Sequence, residues 1–468
     1  MKEMLQDWKR QPAVGKWQYL CLLMVAGIEF AYMSPRGQQY TVIWVGVDYL
    51  LEVPAMAFLM LSIARGIRRK GQGMLHICLA MLLWIGLVQS MREVRCLAEI
   101  NRGEIICFYA LALPMAFCFD DGQRQWGLKT MAVVYVLEAL RLCLLAGALY
   151  FDVLPELFRA SVRWDGARLL QMFHPTNCAA LLLIGIGISL GWCLRSKKRW
   201  LQVLLVLFVL LQFVVLSLTN GRTGTVFTCL LVGGILFCAL RKTDWKRAPL
   251  ALAVGVAVMA VLFVTSQKLF AAHQQRMTQP VPQTQQLQEE APPEEMPIQE
   301  EAAPQEAAAP QEEAPAPVEQ FNMQNTFLHD MLTLNSRTTI WTEAVRGLLR
   351  NPKILVCGTD DVAGVLAEEG SSFAMHTHNP YLEITYMLGI PGLLLALLIS
   401  ILAIRGAVIL LWKNANLWKS AIALTVMCLM GCGMLEPYLF VSKNNQNYLT
   451  MFFLMGVGYL HHWTMEKE

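Results

Sequence analysis

The stretch His376-Thr-His378-Asn379-Pro-Tyr381-Leu382, followed by Gly389-Ile-Pro-Gly392, brings together residue types that can do chemistry. Histidine titrates near neutrality and can take a proton from a hydroxyl. Asn379 and Tyr381 add hydrogen-bonding groups, and a turn and a long apolar run follow. Polar, titratable residues at the mouth of a membrane helix read as a reaction site facing water. Two other segments carry comparable residues. One is Arg168-Leu-Leu-Gln-Met-Phe173-His174-Pro175-Thr176-Asn177; the other is Asn220-Gly221-Arg222-Thr223-Gly224. Arg337, with Trp341 four residues on, belongs with the histidine segment.

The elements that must position these residues are membrane helices. Of the 468 residues, 56% are hydrophobic and only 16% charged, and the mean hydropathy is +0.43. A soluble globular chain of this length is less apolar. Runs of about 20 apolar residues suffice to span a bilayer. They predict twelve spans: Trp17–Met33, Val42–Ala64, Met74–Met91, Ile105–Phe119, Met131–Phe151, Asn177–Trp192, Trp200–Leu218, Thr225–Leu240, Pro249–Thr265, Gly389–Trp412, Leu417–Leu435 and Tyr448–Trp463. The expected fold is therefore an all-α polytopic membrane protein. Nine spans form a first bundle over residues 1–266, and three form a C-terminal bundle over 389–468. A large extracytoplasmic loop, 267–388, joins them. Within it, residues 278–320 repeat Gln, Glu, Ala and Pro and cannot bury enough apolar surface to fold; they read as an acidic tether. Residues 321–388 read as helical, with Ile340, Trp341, Ala344, Val345 and Leu348 at helical spacing. Leu154, Leu157 and Phe158, then Leu169, Leu170, Met172 and Phe173, suggest interfacial helices in the smaller loop Asp152–Pro175.

Net charge is +3, but its distribution says more. Basic clusters at Lys9/Arg10/Lys16, Arg65/Arg68/Arg69/Lys70, Arg195/Lys197/Lys198/Arg199 and Arg241/Lys242/Lys246/Arg247 all fall on one side of the counted helices. The positive-inside rule makes that side the cytoplasm, so both termini are expected there. The segments carrying Arg168, Arg222, Arg337 and His378 then converge on the outer face.

These residues, in this order, resemble the O-antigen ligase and O-antigen polymerase superfamily of bacterial envelope glycosyltransferases. Arg168 precedes Phe173-His174-Pro175, and Arg222-Thr223-Gly224 forms the turn between two spans. Arg337 and Trp341 match an Arg-x-x-x-Trp in the large loop. His378-Asn379-Pro-Tyr-Leu382 and Gly389–Gly392 close the set. The chain departs from the pattern at Thr176, at Gly221 where Ser is usual, and at Gly358-Thr-Asp360. The resemblance implies an enzyme of the bacterial cytoplasmic (inner) membrane acting in cell-surface polysaccharide biosynthesis. It would join a polyprenyl-diphosphate-linked glycan donor to a hydroxyl of a glycan or glycolipid acceptor, with inversion and without metal or other cofactor. A diphosphate leaving group needs positive charge, and the arginine fork binds phosphate oxygens bidentately without ever deprotonating. His378 is the candidate base and Arg222 the candidate catalytic cation. Arg168, Arg337, Asn379, Trp341 and Tyr381 are candidate substrate-binding residues. The partners are this donor, this acceptor and the lipid bilayer, with no nucleic acid.

Each residue has a plainer alternative. Arg222 suits a loop arginine anchored to headgroups. His378 is placed to cap the following helix or to hydrogen-bond Glu383. His376 and His378 form a His-x-His pair without a third metal ligand. Glu138 and Arg141, three apart within a span, read as a structural ion pair. At the level of the whole chain, twelve spans equally fit a transporter or flippase for lipid-linked oligosaccharide. That reading predicts two matched halves, which the unmatched large loop does not provide. Ligase and polymerase are not separated by these motifs.

Overall fold

The structure is a computed structural model that describes residues 83–84, 121–155, 162–171, 175–241, 244–278, 337–359, 361–371, 374, 376–413, 416–436, 439–440 and 447–465. The first four expected spans, apart from Leu83 and Trp84, and the tether at 279–320 lie outside the described residues.

Six helices among the described residues are long and apolar enough to cross a membrane. They are α1 (Asp121–Tyr150, with its apolar part from Met131), α2 (Pro175–Arg195), α3 (Arg199–Thr219), α4 (Arg222–Arg241), α5 (Ala248–Thr278) and, after three short helices, α9 (Pro380–Lys413). The shorter apolar α10 (Leu417–Gly433) and α11 (Asn447–Met465) follow. The chain is thus a mostly helical, multi-span membrane protein, as its apolar runs predict.

Helix α2 lies at the centre. It packs against α1, α3, α4 and α10, and its residues from Asn177 to Ser189 are buried without interruption. A helix that is apolar all round is stable only in such a position or in lipid. Helices α3 and α5 instead leave many aliphatic side chains exposed, as lipid-facing surfaces do. The up-and-down connections gather Arg195, Arg199 and Arg241 at one end. There Trp192 stacks on Trp418 at 6.2 Å, and Arg241 Nη2 donates to the Leu411 carbonyl at 2.8 Å. The Glu138–Arg141 ion pair forms within α1, with Arg141 Nε 2.8 Å from Glu138 Oε2.

The expectation of interfacial helices in the loop before α2 is corrected at Leu169 and Leu170. They belong to an antiparallel hairpin of β1 (Val162–Asp165) and β2 (Arg168–Gln171), in which Asp165 faces Arg168. This hairpin also departs from an all-α fold. Gly166-Ala167 is the two-residue turn, and Gly166, at its first position, takes the positive φ of 56° that such hairpin turns favour. Burial alternates along β1 as a strand requires. Trp164 rests 4.5 Å from the His273 ring, whose other neighbour, Tyr150, lies at 5.5 Å. These contacts lie on the part of α5 that continues to Thr278, well past the expected end at Thr265.

Beyond the bundle, α6 (Arg337–Arg350), α7 (Pro352–Cys357) and α8 (Val362–Glu368) enclose a small core of Ile340, Ala344, Leu348, Ile354, Val362, Leu366 and Tyr386. Helix α9 anchors it: the Tyr386 hydroxyl donates to the Ala344 carbonyl at 2.7 Å. Helix α9 itself is broken at Gly389, with φ 70° and ψ −170°. Tyr381 Oη and Ser400 Oγ, 19 residues apart, lie 2.7 Å from each other. A straight helix would separate them by about 28 Å. The limb 380–388 therefore doubles back on the limb 390–413. The Leu388 carbonyl freed at the corner accepts from Trp84 Nε1 at 2.7 Å.

Only glycine fits that corner. Its φ/ψ pair is essentially reserved for glycine and costs another residue about 1–3 kcal/mol. A β-carbon there would also sit 2.5 Å from the Val356 carbonyl oxygen and 2.8 Å from that of Leu355. Gly389→Ala is expected to lower the melting temperature of the detergent-solubilised protein, followed by fluorescence-detected gel filtration. An unchanged melting curve would show that the corner is not rigid.

Candidate active site

The site is built where α6, α9 and the end of α10 meet. Asn379 starts α9: its Oδ1 accepts from the Tyr381 N–H at 2.9 Å and from the Leu382 N–H at 3.2 Å. This is the N-cap interaction that Asn favours. Just upstream, the Thr377 N–H and hydroxyl both donate to Glu383 Oε2, at 2.9 and 3.0 Å. Asn379 and Thr377 thereby take the capping and Glu383-bonding roles considered for His378. The His378 ring is left for other work. The backbone there has the positive φ of 50°, an uncommon conformation outside glycine. Its N–H donates to His376 Nδ1 at 3.3 Å, and the two rings lie 4.0 Å apart.

His378 faces a carboxylate that the sequence reading did not single out. Glu436, three residues beyond the end of α10, is 3% exposed. One oxygen accepts from Arg337 Nη2 at 2.6 Å, and the other lies 3.6 Å from His378 Nδ1. A carboxylate this buried must be paired. Glu436 thus ties residues from α6, α9 and the segment after α10 into one cluster. Arg337, expected as a phosphate contact, is held by Glu436. Trp341, one turn along α6, is half-buried, and its Nε1 has no hydrogen-bond partner among the described residues.

Arg222 opens α4 at the same end of the bundle. Asn220 closes α3 in the left-handed conformation, with φ 46°, and the Gly221 N–H donates to Thr219 Oγ1 at 3.0 Å. The turn lies so close to α2 that a β-carbon on Gly224 would fall 2.3 Å from that of Ala179. Glycine at 221 and 224 is therefore a packing requirement. The first turn of α4 faces the last turn of α10, where Cys432 Sγ lies 4.0 Å from the Thr223 carbonyl oxygen. Glu436 follows four residues later.

Of the residues expected at the site, the structure brings His378, Arg337 and Asn379 together, with Arg222 at the same end of the bundle. Tyr381 points from the first turn of α9 to Ser400, and its ring lies 5.7 Å from Phe440. Arg168 stands apart: it is exposed on β2 beside the hairpin turn, and among the described residues no ion pair joins it to the cluster. Glu436 was hidden in the sequence because it follows an apolar span as a single acid, with no spacing relation to the histidines.

No curated protein matches the chain. Residues 207–397 match the family model described as O-Antigen ligase. The match runs from α3 into the second limb of α9 and includes Arg222, Arg337, Trp341, His378, Asn379 and Tyr381, whereas Arg168 and Glu436 lie outside it. This match supports placing the segment in the O-antigen ligase superfamily, with an O-antigen ligase-like function in polysaccharide biosynthesis at a membrane.

Proposed function

We propose that this protein is an O-antigen ligase/polymerase-like inverting glycosyltransferase. It transfers a glycan from a polyprenyl diphosphate to an acceptor hydroxyl at the outer face of the bacterial cytoplasmic membrane. The observation that carries the reading is the placement of His378 against Glu436. With Nδ1 turned to the carboxylate, Nε2 is the nitrogen offered to the acceptor. The 3.6 Å separation is longer than a hydrogen bond, and catalytic contacts of this kind tighten when substrate arrives.

His378 takes the acceptor's proton while the acceptor oxygen attacks the anomeric carbon. The bond from that carbon to the diphosphate oxygen breaks, and the lipid diphosphate leaves with the electron pair. Arg222, at the positive end of α4, meets the charge that develops on it. The Trp341 indole N–H is a buried donor that a sugar or phosphate oxygen would satisfy. Asn379 and Tyr381 shape the approach, and Arg168 on the hairpin reaches the outer part of the donor. Arginine charge serves the leaving group in this scheme, which agrees with the metal-independent course the resemblance implies.

The wider architecture of the proposal is twelve spans with both termini cytoplasmic. It comprises a first bundle over 1–266, an extracytoplasmic part over 267–388 containing the tether 278–320, and a last bundle over 389–468. The basic ends of α2 and α4 lie opposite the site, which supports that orientation. The test is mass spectrometry of lipid-linked glycans, with leaflet assignment, in a deletion strain complemented by wild type or by Arg222→Ala. Outer-leaflet accumulation that only wild type relieves is expected. Accumulated single repeats would mean a polymerase, and accumulated long chains a ligase. Accumulation confined to the inner leaflet would make the protein a flippase and overturn the proposal.

A further inference from the structure

The corner between α6 and α7 carries side chains that water does not favour. Val345 is 43% exposed, Leu349 71% and Val356 61%. At about 100° per residue, Val345 and Leu349 share one flank of α6. Gly347 lies about half a turn away, on the side packed against Val365 and Glu369 of α8 and its flank. The extramembrane unit is therefore polarised. Asp361, Glu368 and Glu369 belong to the α8 side, where Glu369 also takes Arg350 at 2.9 Å. The opposite flank of α6 carries Val345 and Leu349, Val356 is exposed on the adjoining α7, and Arg346 and Lys353 are exposed on the same two helices.

The height of this corner relative to the bilayer follows from α9. The limb 390–413 is about 36 Å long, enough to cross a hydrocarbon core of about 30 Å. Gly389 then lies near the membrane boundary on the side of the site. The Leu355 and Val356 carbonyls touch Gly389, so α7 lies at that boundary too. Beyond the corner, Ile390 and Leu394 continue as exposed apolar residues, at 43% and 60%.

We propose that the α6–α7 corner is embedded in the leaflet on the side of the site, with Val345, Leu349 and Val356 among acyl chains and Arg346 and Lys353 at the level of anionic headgroups. This is the charge and apolar pattern of an interfacial helix. It fixes one end of α6 in lipid while the other end, Arg337, holds Glu436. A lipid-borne substrate would then be met at a set depth.

The test places p-benzoylphenylalanine at Leu349, Val356 or Ala367 of the full chain, in vesicles of phosphatidylethanolamine and phosphatidylglycerol. Ala367 is exposed on the acidic helix α8. After irradiation, intact mass spectrometry should show a gain of one phospholipid mass at positions 349 and 356 and none at 367. Absence of lipid adducts at 349 and 356 would place the corner in water. Adducts to protein there would mean that this chain or a second copy covers it. Equal lipid labelling at 367 would mean that the unit has no membrane-facing side. Each of these results overturns the proposal. None requires turnover, so failure here is distinct from failure of the proposed transferase activity.

Discussion

His378→Ala is expected to lower glycan transfer by about 10²–10⁴-fold, the usual worth of a positioned acid–base group, while leaving the protein inserted and folded. The side chain is a quarter exposed, and neither Asn379 nor Thr377 depends on it for capping α9. Removing the imidazole therefore deletes chemistry without opening the core. In an assay with purified lipid-linked donor, the loss should fall on kcat, with the donor's KM little changed. A deficit confined to KM would make His378 a binding residue and leave the base unidentified. Full activity would place the site elsewhere.

The long-range plan of the protein was legible because it rests on composition over many residues. Apolar runs mark the spans from Met131 onward within a few residues, apart from the far end of α5, which runs on to Thr278, and the basic clusters mark their shared end. The Gly-Ile-Pro-Gly turn also falls where α9 breaks. Its consequence was not legible. The meeting of Tyr381 with Ser400 depends on the φ/ψ of one glycine and on what packs against it. The hairpin was misread because adjacent Leu169 and Leu170 suit an amphipathic helix as well as a strand edge. What decides between them is the Gly166-Ala167 turn and the packing of Trp164 on His273, a residue more than a hundred positions away. The same reason hid Glu436. Arg337, His378 and Glu436 come from three separate segments, and their association is a product of tertiary packing. The sequence supplied two members through local motifs; the third has no motif and became visible only as their shared partner.

That partnership leads to the largest expected effect on stability. Glu436→Ala removes the counter-charge of Arg337, whose side chain is only 18% exposed. Breaking a buried pair by deleting one partner costs about 3–5 kcal/mol, because the other charge stays desolvated. Arg337→Ala should be at least as damaging, since it strands the more deeply buried Glu436. Replacing both together, as Arg337→Leu with Glu436→Leu, should recover most of that stability, because apolar substitutes for a buried pair are often neutral. Transfer should nevertheless remain low in Glu436→Ala and in the double variant, where His378 loses the carboxylate that orients Nδ1, whereas Arg337→Ala keeps that carboxylate beside His378. Thermal melting and transfer rates measured on the two single variants and the double variant thus separate the roles. Recovery of both stability and transfer in the double variant would show that the pair only holds α6 to the end of α10. Recovery of stability alone would show that Glu436 also acts on His378. The ion pair would then serve catalysis by holding a charge that the fold could otherwise do without.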